Sequence, residues 1–399
     1  MAGSVQIECR VLLGSGPGGM LRAVPENTIR ARHFRRLGRL EWSPSGVCLL
    51  CGPNGSGKTT TLDVLLFLRT LFERGHESAF TAVSGQYFRS LDVSADEPVE
   101  FELVVGDLRW RLLFPVSLLG ARGHFGEELY RGDELMLRAG MFDETWHLGS
   151  EAHPRDEVRC CARVLWDRDE APWMKPLADV LAGLRVYKSY WLNQVQRQEQ
   201  APGRDSYLAS NGRNLWSVLA NWKGSPTRYQ GQFEWVMAAA REAFPDLIST
   251  VEFDRGLPYL YAPGATEADQ GLPPSRAAEG LLTGLLHLTA VAGAKSGSIV
   301  AFDEMENQLH PHAIRSLLSA MRRRAEEHDL TIILTTHSPV VLNSFRDEPG
   351  QVYVLDRAAP TVPVAMTDLH SEEWLAQAKL GTLYERLAFA APPIDGIEP

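Results

Sequence analysis

The stretch "VCLLCGPNGSGKTTTLDVLLFL" constrains this chain more than any other. Val47 to Cys51 is a short apolar run with the length and composition of a buried strand. Gly52 to Thr59 then fits the pattern G-x-x-x-x-G-K-[ST], and Thr60 to Leu68 continues as a helix. Strand, glycine loop and helix in that order make the setting of a phosphate-binding loop and predict an α/β fold. Glycines let backbone N–H groups converge on phosphate oxygens with no Cβ in the way, and the helix N-terminus adds its dipole. Asn54, Gly55, Gly57, Lys58, Thr59 and Thr60 are therefore the candidate nucleotide contacts. Lys58 is placed to reach the β- and γ-phosphates, and Thr59 to put its hydroxyl on Mg²⁺.

A loop of this kind needs a second half, and "AFDEMENQLHP" supplies it. Ser298 to Phe302 reads as a buried strand, and Asp303, Glu304 and Glu306 crowd its end. Like charges so close repel, so a cation belongs among them. Asp303 is the candidate Mg²⁺ ligand, directly or through water. Glu304 is the candidate base that polarises the water attacking the γ-phosphate. Phosphoryl transfer needs alignment and charge neutralisation more than covalent chemistry, so a metal, a lysine and one base suffice. In "DLTIILTTHSPVVLNSF", the strand Thr331 to Leu334 ends near His337. An imidazole there can hydrogen-bond the γ-phosphate or the attacking water and respond to nucleotide state.

Composition narrows the class. At 399 residues, 44% hydrophobic and 23% charged, the chain has a globular composition and length for one large domain or two ordinary ones. A net charge of -10 argues against wholesale coating of nucleic acid while leaving room for a local basic patch. No apolar run is long enough to span a bilayer, and the N-terminus has no signal-peptide pattern, so no membrane partner is expected. Cys9, Cys48, Cys51, Cys160 and Cys161 form neither a zinc spacing nor an even disulfide framework. A reducing, cytoplasmic location follows.

Together these segments resemble the ABC-type ATPases of the SMC, RecF and OLD group, in particular the small AAA-domain subunits of prokaryotic defence loci. "IRARHFRRLGRLEWSPSGVCLLCGPNGSGKTTTL" is similar to that family's opening strand pair and loop. "FDEMENQLHP" and "LTTHSP" resemble its acidic strand and switch-histidine segment. "ASNGRNLWSVLANW", "SRAAEGLLTGLLHL" and "AKLGTLYERL" resemble its helical lobe, signature region and closing helix. The resemblance implies a P-loop ABC-type ATPase head, α/β, with a mixed parallel sheet, an antiparallel β subdomain and a helical lobe. It also implies ATP and Mg²⁺ as cofactors. Two subunits would sandwich two nucleotides in a homodimer or higher homo-oligomer, with Glu279 and Gly280 of each signature region completing the other's site. The family usually has a serine just before Glu-Gly; here Ala278 stands there, with Ser275 three residues earlier. The helix-forming run Leu281 to Leu288 remains, so its dipole contribution is expected to persist.

Domain limits are expected at 1–150 for the N-terminal ATPase lobe with its β subdomain, 151–290 for a mostly helical lobe, and 291–399 for the C-terminal ATPase lobe. Residues 97 to 150 alternate with period two, as antiparallel strands do. Gly14 to Gly19 reads as a hairpin turn or flexible entry. Arg30 to Arg39 reads first as a solvated strand edge, with a nucleotide or DNA contact as the alternative reading. The region between loop and acidic strand has no sustained heptad pattern, so no long coiled coil is expected. Too few residues follow His337 for a TOPRIM nuclease, and there is no HNH or metal-nuclease cluster. The output should therefore pass through a separate effector protein, a nuclease or toxin. The leading expectation is an ATP-hydrolysing subunit of a defence system. The alternative is a RecF-like DNA-binding ATPase in repair or maintenance, and a membrane-transporter motor fits poorly.

Overall fold

The computed structural model describes residues 27–83, 88–90, 94, 97–115, 125–197, 199–229, 231–265, 270–356, 362–377 and 379–385. The Gly14–Gly19 cluster and Cys9 lie outside them.

Strands buried on both faces read as continuous apolar runs, because alternate side chains must enter two different cores. That is the situation of β3 (Val47–Cys51), β13 (Ile299–Phe302) and β14 (Thr331–Thr335), which pair in parallel. Val47, Leu49, Cys51, Val300, Phe302, Ile332 and Leu334 enter one core. Cys48, Leu50, Ile299, Ala301 and Ile333 enter the other. β10 (Arg185–Tyr187), β15 (Val352–Val354) and β16 (Val364–Ala365) complete a six-stranded sheet of order β10-β13-β14-β3-β15-β16, antiparallel only at its last pair.

Strands with one wet face form the second sheet. β1 (Asn27–Phe34) and β2 (Leu37–Trp42) make a hairpin, followed by β4 (Val99–Val105), β5 (Leu108–Phe114), β6 (Gly126–Arg131), β7 (Glu134–Ala139), β8 (Thr145–Leu148) and β9 (Glu151–Pro154). All pair antiparallel in the order β2-β1-β4-β5-β6-β7-β8-β9. In β5, Leu108, Trp110, Leu112 and Phe114 are buried, and Arg109, Arg111 and Leu113 alternate with them. The helix Lys58–Arg74 joins this sheet to the parallel one: Leu62, Val64, Leu65, Phe67, Leu68 and Leu71 are wholly buried in their shared core. Phe67 packs on Phe88, Phe101 and Phe114 with ring centroids 4.8–5.2 Å apart.

Helices dominate between residues 155 and 290, interrupted by β10 and by a two-stranded ribbon of β11 (Thr250–Asp254) and β12 (Leu257–Tyr261). Among the described residues no helix exceeds the 18 residues of Pro311–His328. Nor is any helix long and apolar enough to cross a membrane. Cys48, Cys51, Cys160 and Cys161 are buried free thiols.

Among the described residues, three of the five arginines from Arg30 to Arg39 pair with carboxylates of this chain. Arg30 pairs with Glu41 and Glu102, and Arg39 with Glu41. Arg35, in the tight turn at φ 53, reaches Asp63 on the helix Lys58–Arg74 and the carbonyl of Val83. Asp63 is 1% exposed and also accepts from Lys188 at 2.8 Å, just beyond β10. Three separate segments thus meet on one buried carboxylate. Asp63→Asn leaves two partly buried cations short of their counter-charge, which should cost about 3 kcal/mol. Urea denaturation followed by tryptophan fluorescence measures it. A loss below about 1 kcal/mol, the range of exposed pairs, would assign the triad to the surface class instead.

Candidate active site

The loop geometry follows from its glycines. Gly52, Gly55 and Gly57 have φ of 145, 77 and 105 degrees, where a side chain strains the backbone. At Gly52 a Cβ would also lie 2.1 Å from the carbonyl oxygen of Leu355, beyond the neighbouring strand β15. Around Gly55 it would meet nothing within 4 Å, so the loop's outer side is open. Gly57 caps the helix that begins at Lys58. Asn54, Gly55 and Thr59 are exposed, Thr60 is half-buried and Lys58 is buried. The Lys58 ammonium donates to the carbonyls of Gly52 at 2.8 Å and Pro53 at 3.2 Å. Burial pulls it below its ordinary 10.5, partly offset by Cys51, Asp303, Glu304 and Glu306. The hydroxyl of Ser56 is buried without a hydrogen-bond partner among the described residues, inside the cradle itself.

β13 and β14 lie side by side and deliver the other half. Thr59 Oγ1 donates to Asp303 at 2.9 Å. Thr335, the last residue of β14, donates through Oγ1 to Asp303 Oδ1 at 2.6 Å and accepts the backbone N–H of Glu304 at 2.9 Å. One hydroxyl therefore holds the Asp303 carboxylate and the Glu304 backbone together. Glu304 itself sits at φ 48, a left-handed conformation costly for a residue with a Cβ. Asn307 donates to its Oε2 at 3.1 Å, leaving Oε1 4.0 Å from His337 Nε2. Burial and the Lys58 charge hold His337 below its usual 6.5, so its ring is neutral near pH 7.

The third carboxylate pins the switch segment. Glu306 Oε1 accepts the Thr336 hydroxyl at 2.8 Å and the His337 backbone N–H at 2.9 Å. The crowding of acids thus resolves into three tasks: Asp303 faces the loop threonine, Glu304 faces His337, and Glu306 ties strand end to strand end. The trailing Leu-His-Pro starts a helix, with His310 Nδ1 accepting the His312 N–H at 3.3 Å and Pro311 at the first position.

The signature-like residues come to the same acidic turn. Gln308 donates to Glu279 Oε2 and accepts from Thr283, both at 3.1 Å. A Cβ on Gly280 would lie 2.6 Å from the Gln308 carbonyl oxygen, so glycine permits that contact. Ala278 caps the helix Glu279–Ala292 with extended backbone and no side-chain bond. Within the chain, Glu279 and Gly280 therefore rest on Gln308, while Thr59, Asp303, Glu304 and His337 are drawn together beside Lys58. Thr335, Gln308 and Tyr384 were not singled out from sequence, and Glu306 was noted as one of the crowded acids without a task of its own. The hydroxyl repeated in Thr335-Thr336 just before His337 was the available signal for the first.

Residues 265–343 match a family described as "AAA domain, putative AbiEii toxin, Type IV TA system". That segment is similar to an AAA domain, and the chain as a whole has an SMC-head-like fold. Its fold agrees: an SMC head solved bound to the C-winged helix domain of ScpA superposes with a TM-score of 0.50 at 11% identity, covering 79% of this chain and 91% of that one. The SMC head domain from Thermotoga maritima gives 0.43 at 13% identity over 83% and 94% of the two chains. An Smc head with an extended coiled coil, derived from Pyrococcus furiosus and bound to the ScpA C-terminal domain, gives 0.47 at 9% over 86% and 98%. No curated protein matches. The AAA match spans the acidic strand and His337 and ends at Asn343, whereas the phosphate-type loop lies outside it.

The site's oxygen chemistry suits a hard cation. Thr59 and Asp303 offer two hard oxygen donors within hydrogen-bond distance of one another, and Mg²⁺ characteristically takes one or two protein oxygens plus waters and phosphates.

Proposed function

We propose that this chain is an ATP-binding and hydrolysing subunit whose nucleotide-gated pairing controls a separate effector protein in a prokaryotic defence system. The observation that carries the reading is the joining of Thr59, Asp303, Thr335 and Glu304 by hydrogen bonds beside the buried Lys58. Lys58 and the loop N–H groups would hold the phosphates. Mg²⁺ bound by Thr59 and Asp303 would supply charge neutralisation. Glu304 would take the proton of the attacking water, with His337 on its far side.

Defence is favoured by the family description, which names a toxin of a toxin–antitoxin system. A separate polypeptide output is favoured by the SMC head, a structure of the same fold solved with ScpA bound. The DNA-repair alternative would use the Arg30–Arg39 stretch, where Arg30, Arg35 and Arg39 are already paired with carboxylates of this chain.

Pairing is the testable core. If Glu279 and Gly280 complete a partner's site, a lone subunit is an incomplete enzyme. Turnover per subunit should then rise with protein concentration and level off as dimers saturate. ATPase rates over a dilution series, with mass measured at each point, decide it. A constant rate across dilutions at which the protein is monomeric would sink the composite site.

A further inference from the structure

We infer that Tyr384 is a positioning residue for His337, fixing the imidazole in the Nδ1–H tautomer with Nε2 turned toward Glu304. The inference rests on the ATPase reading above and adds a residue to it. Tyr384 OH donates to the Gly52 carbonyl at 2.9 Å and lies 2.8 Å from His337 Nδ1. A carbonyl oxygen can only accept, so the single phenolic proton points at Gly52. The phenolic oxygen must then accept, and the hydrogen on that contact belongs to Nδ1. In the neutral ring Nε2 therefore carries the lone pair, 4.0 Å from Glu304 Oε1. Such a nitrogen can receive a proton released beside Glu304; an Nε2–H ring could not. Burial near Cys51 and Glu306 pushes the phenol up to about 12, so it remains a donor at neutral pH.

The geometry is built from the backbone outward. Tyr384 stands on the short helix Leu380–Glu385, which packs on the helix Pro339–Asn343 that begins two residues after His337. Gly381 makes the approach possible: a Cβ there would sit 2.7 Å from the Pro339 carbonyl oxygen. Its N–H donates to Asn343 Oδ1 at 2.9 Å, and Leu380 is 1% exposed. Glycine inside a helix costs about 0.5–1 kcal/mol relative to alanine, a cost this close contact explains. Gly52 O also receives the Lys58 ammonium at 2.8 Å, so Lys58 and Tyr384 share one acceptor in the loop, and His337 is linked to it through Tyr384.

Tyr384→Phe keeps the ring and deletes the relay. Long-range ¹⁵N NMR of histidine-labelled protein reports the tautomer, with the His337 signals identified by their loss in His337→Gln. Wild type should show the Nδ1–H form, and the variant should shift toward Nε2–H, the form free imidazole side chains favour. Loss of the partner that orients a metal-bound histidine costs about 10- to 100-fold, and by the same orienting logic kcat should fall about tenfold here. KM for ATP should stay within about twofold, the signature of a group acting on turnover rather than on binding. An Nε2–H ring in the wild type overturns the inference, as does an unchanged kcat in an active enzyme. A wild type that binds ATP but never hydrolyses it sinks the ATPase reading and this role together. The separation is clean, because the tautomer is read without nucleotide.

Discussion

Lys58→Ala is expected to lower affinity for ATP with Mg²⁺ at least about 100-fold while leaving the fold standing. The ammonium lies 6% exposed beneath the loop and donates to two loop carbonyls. Phosphate oxygens would compete for those same donors with full negative charge, and charge-assisted bonds are roughly twice as strong as neutral ones. Deleting the cation also removes a positive charge that interacts with Asp303, Glu304 and Glu306. A loss of about 3 kcal/mol, typical for removing one partner of a buried charge pair, converts to about two decades of affinity. Calorimetric titration of both proteins is the measurement, with melting temperatures as the fold control. Equal affinities would remove the loop from the nucleotide site.

The parts legible in the sequence are those whose cause is local. β3, β13 and β14 announce themselves because strands between two cores have no polar face. β5 is legible through its alternation, since Leu108, Trp110, Leu112 and Phe114 share one side. The starts of the helices at Pro311 and Pro339 are written as His-Pro and Ser-Pro, with a capping side chain before each proline. Tertiary pairings were not legible. β10 is three residues of Arg-Val-Tyr, too short for periodicity, and is a strand only because β13 offers it an edge. Arg35 reads as one more surface arginine until Asp63 is brought beneath it from another element. Gly280 gave the sequence pattern its second letter, yet the carbonyl of Gln308 is what requires it to lack a Cβ. Tyr384 carries no local signal at all, because its partners Gly52 and His337 come from two other strands' ends.

Glu304→Gln should abolish turnover while preserving nucleotide binding, and should trap a paired assembly in ATP. A positioned general base contributes about 10²- to 10⁴-fold, or roughly 3 to 5.5 kcal/mol of barrier. Glutamine keeps the volume and one acceptor oxygen, so Asn307 can still donate to it, but an amide cannot take the water's proton. The backbone N–H bond to Thr335 is untouched, and the left-handed φ of 48 degrees is no harder for glutamine than for glutamate. Thr59 and Asp303 keep their contact, so ATP and Mg²⁺ should bind as in the wild type. If hydrolysis is what reopens the sandwich, the variant should grow larger in ATP and not in ADP, whereas wild type should cycle back. Light scattering on both proteins with each nucleotide separates the outcomes. A variant hydrolysing at the wild-type rate would take the base away from Glu304. One that is inactive yet no larger in ATP would keep the base and remove nucleotide-driven pairing. Ala278 makes that second outcome chemically specific, because the helix it caps offers a dipole but no hydroxyl to a partner's γ-phosphate.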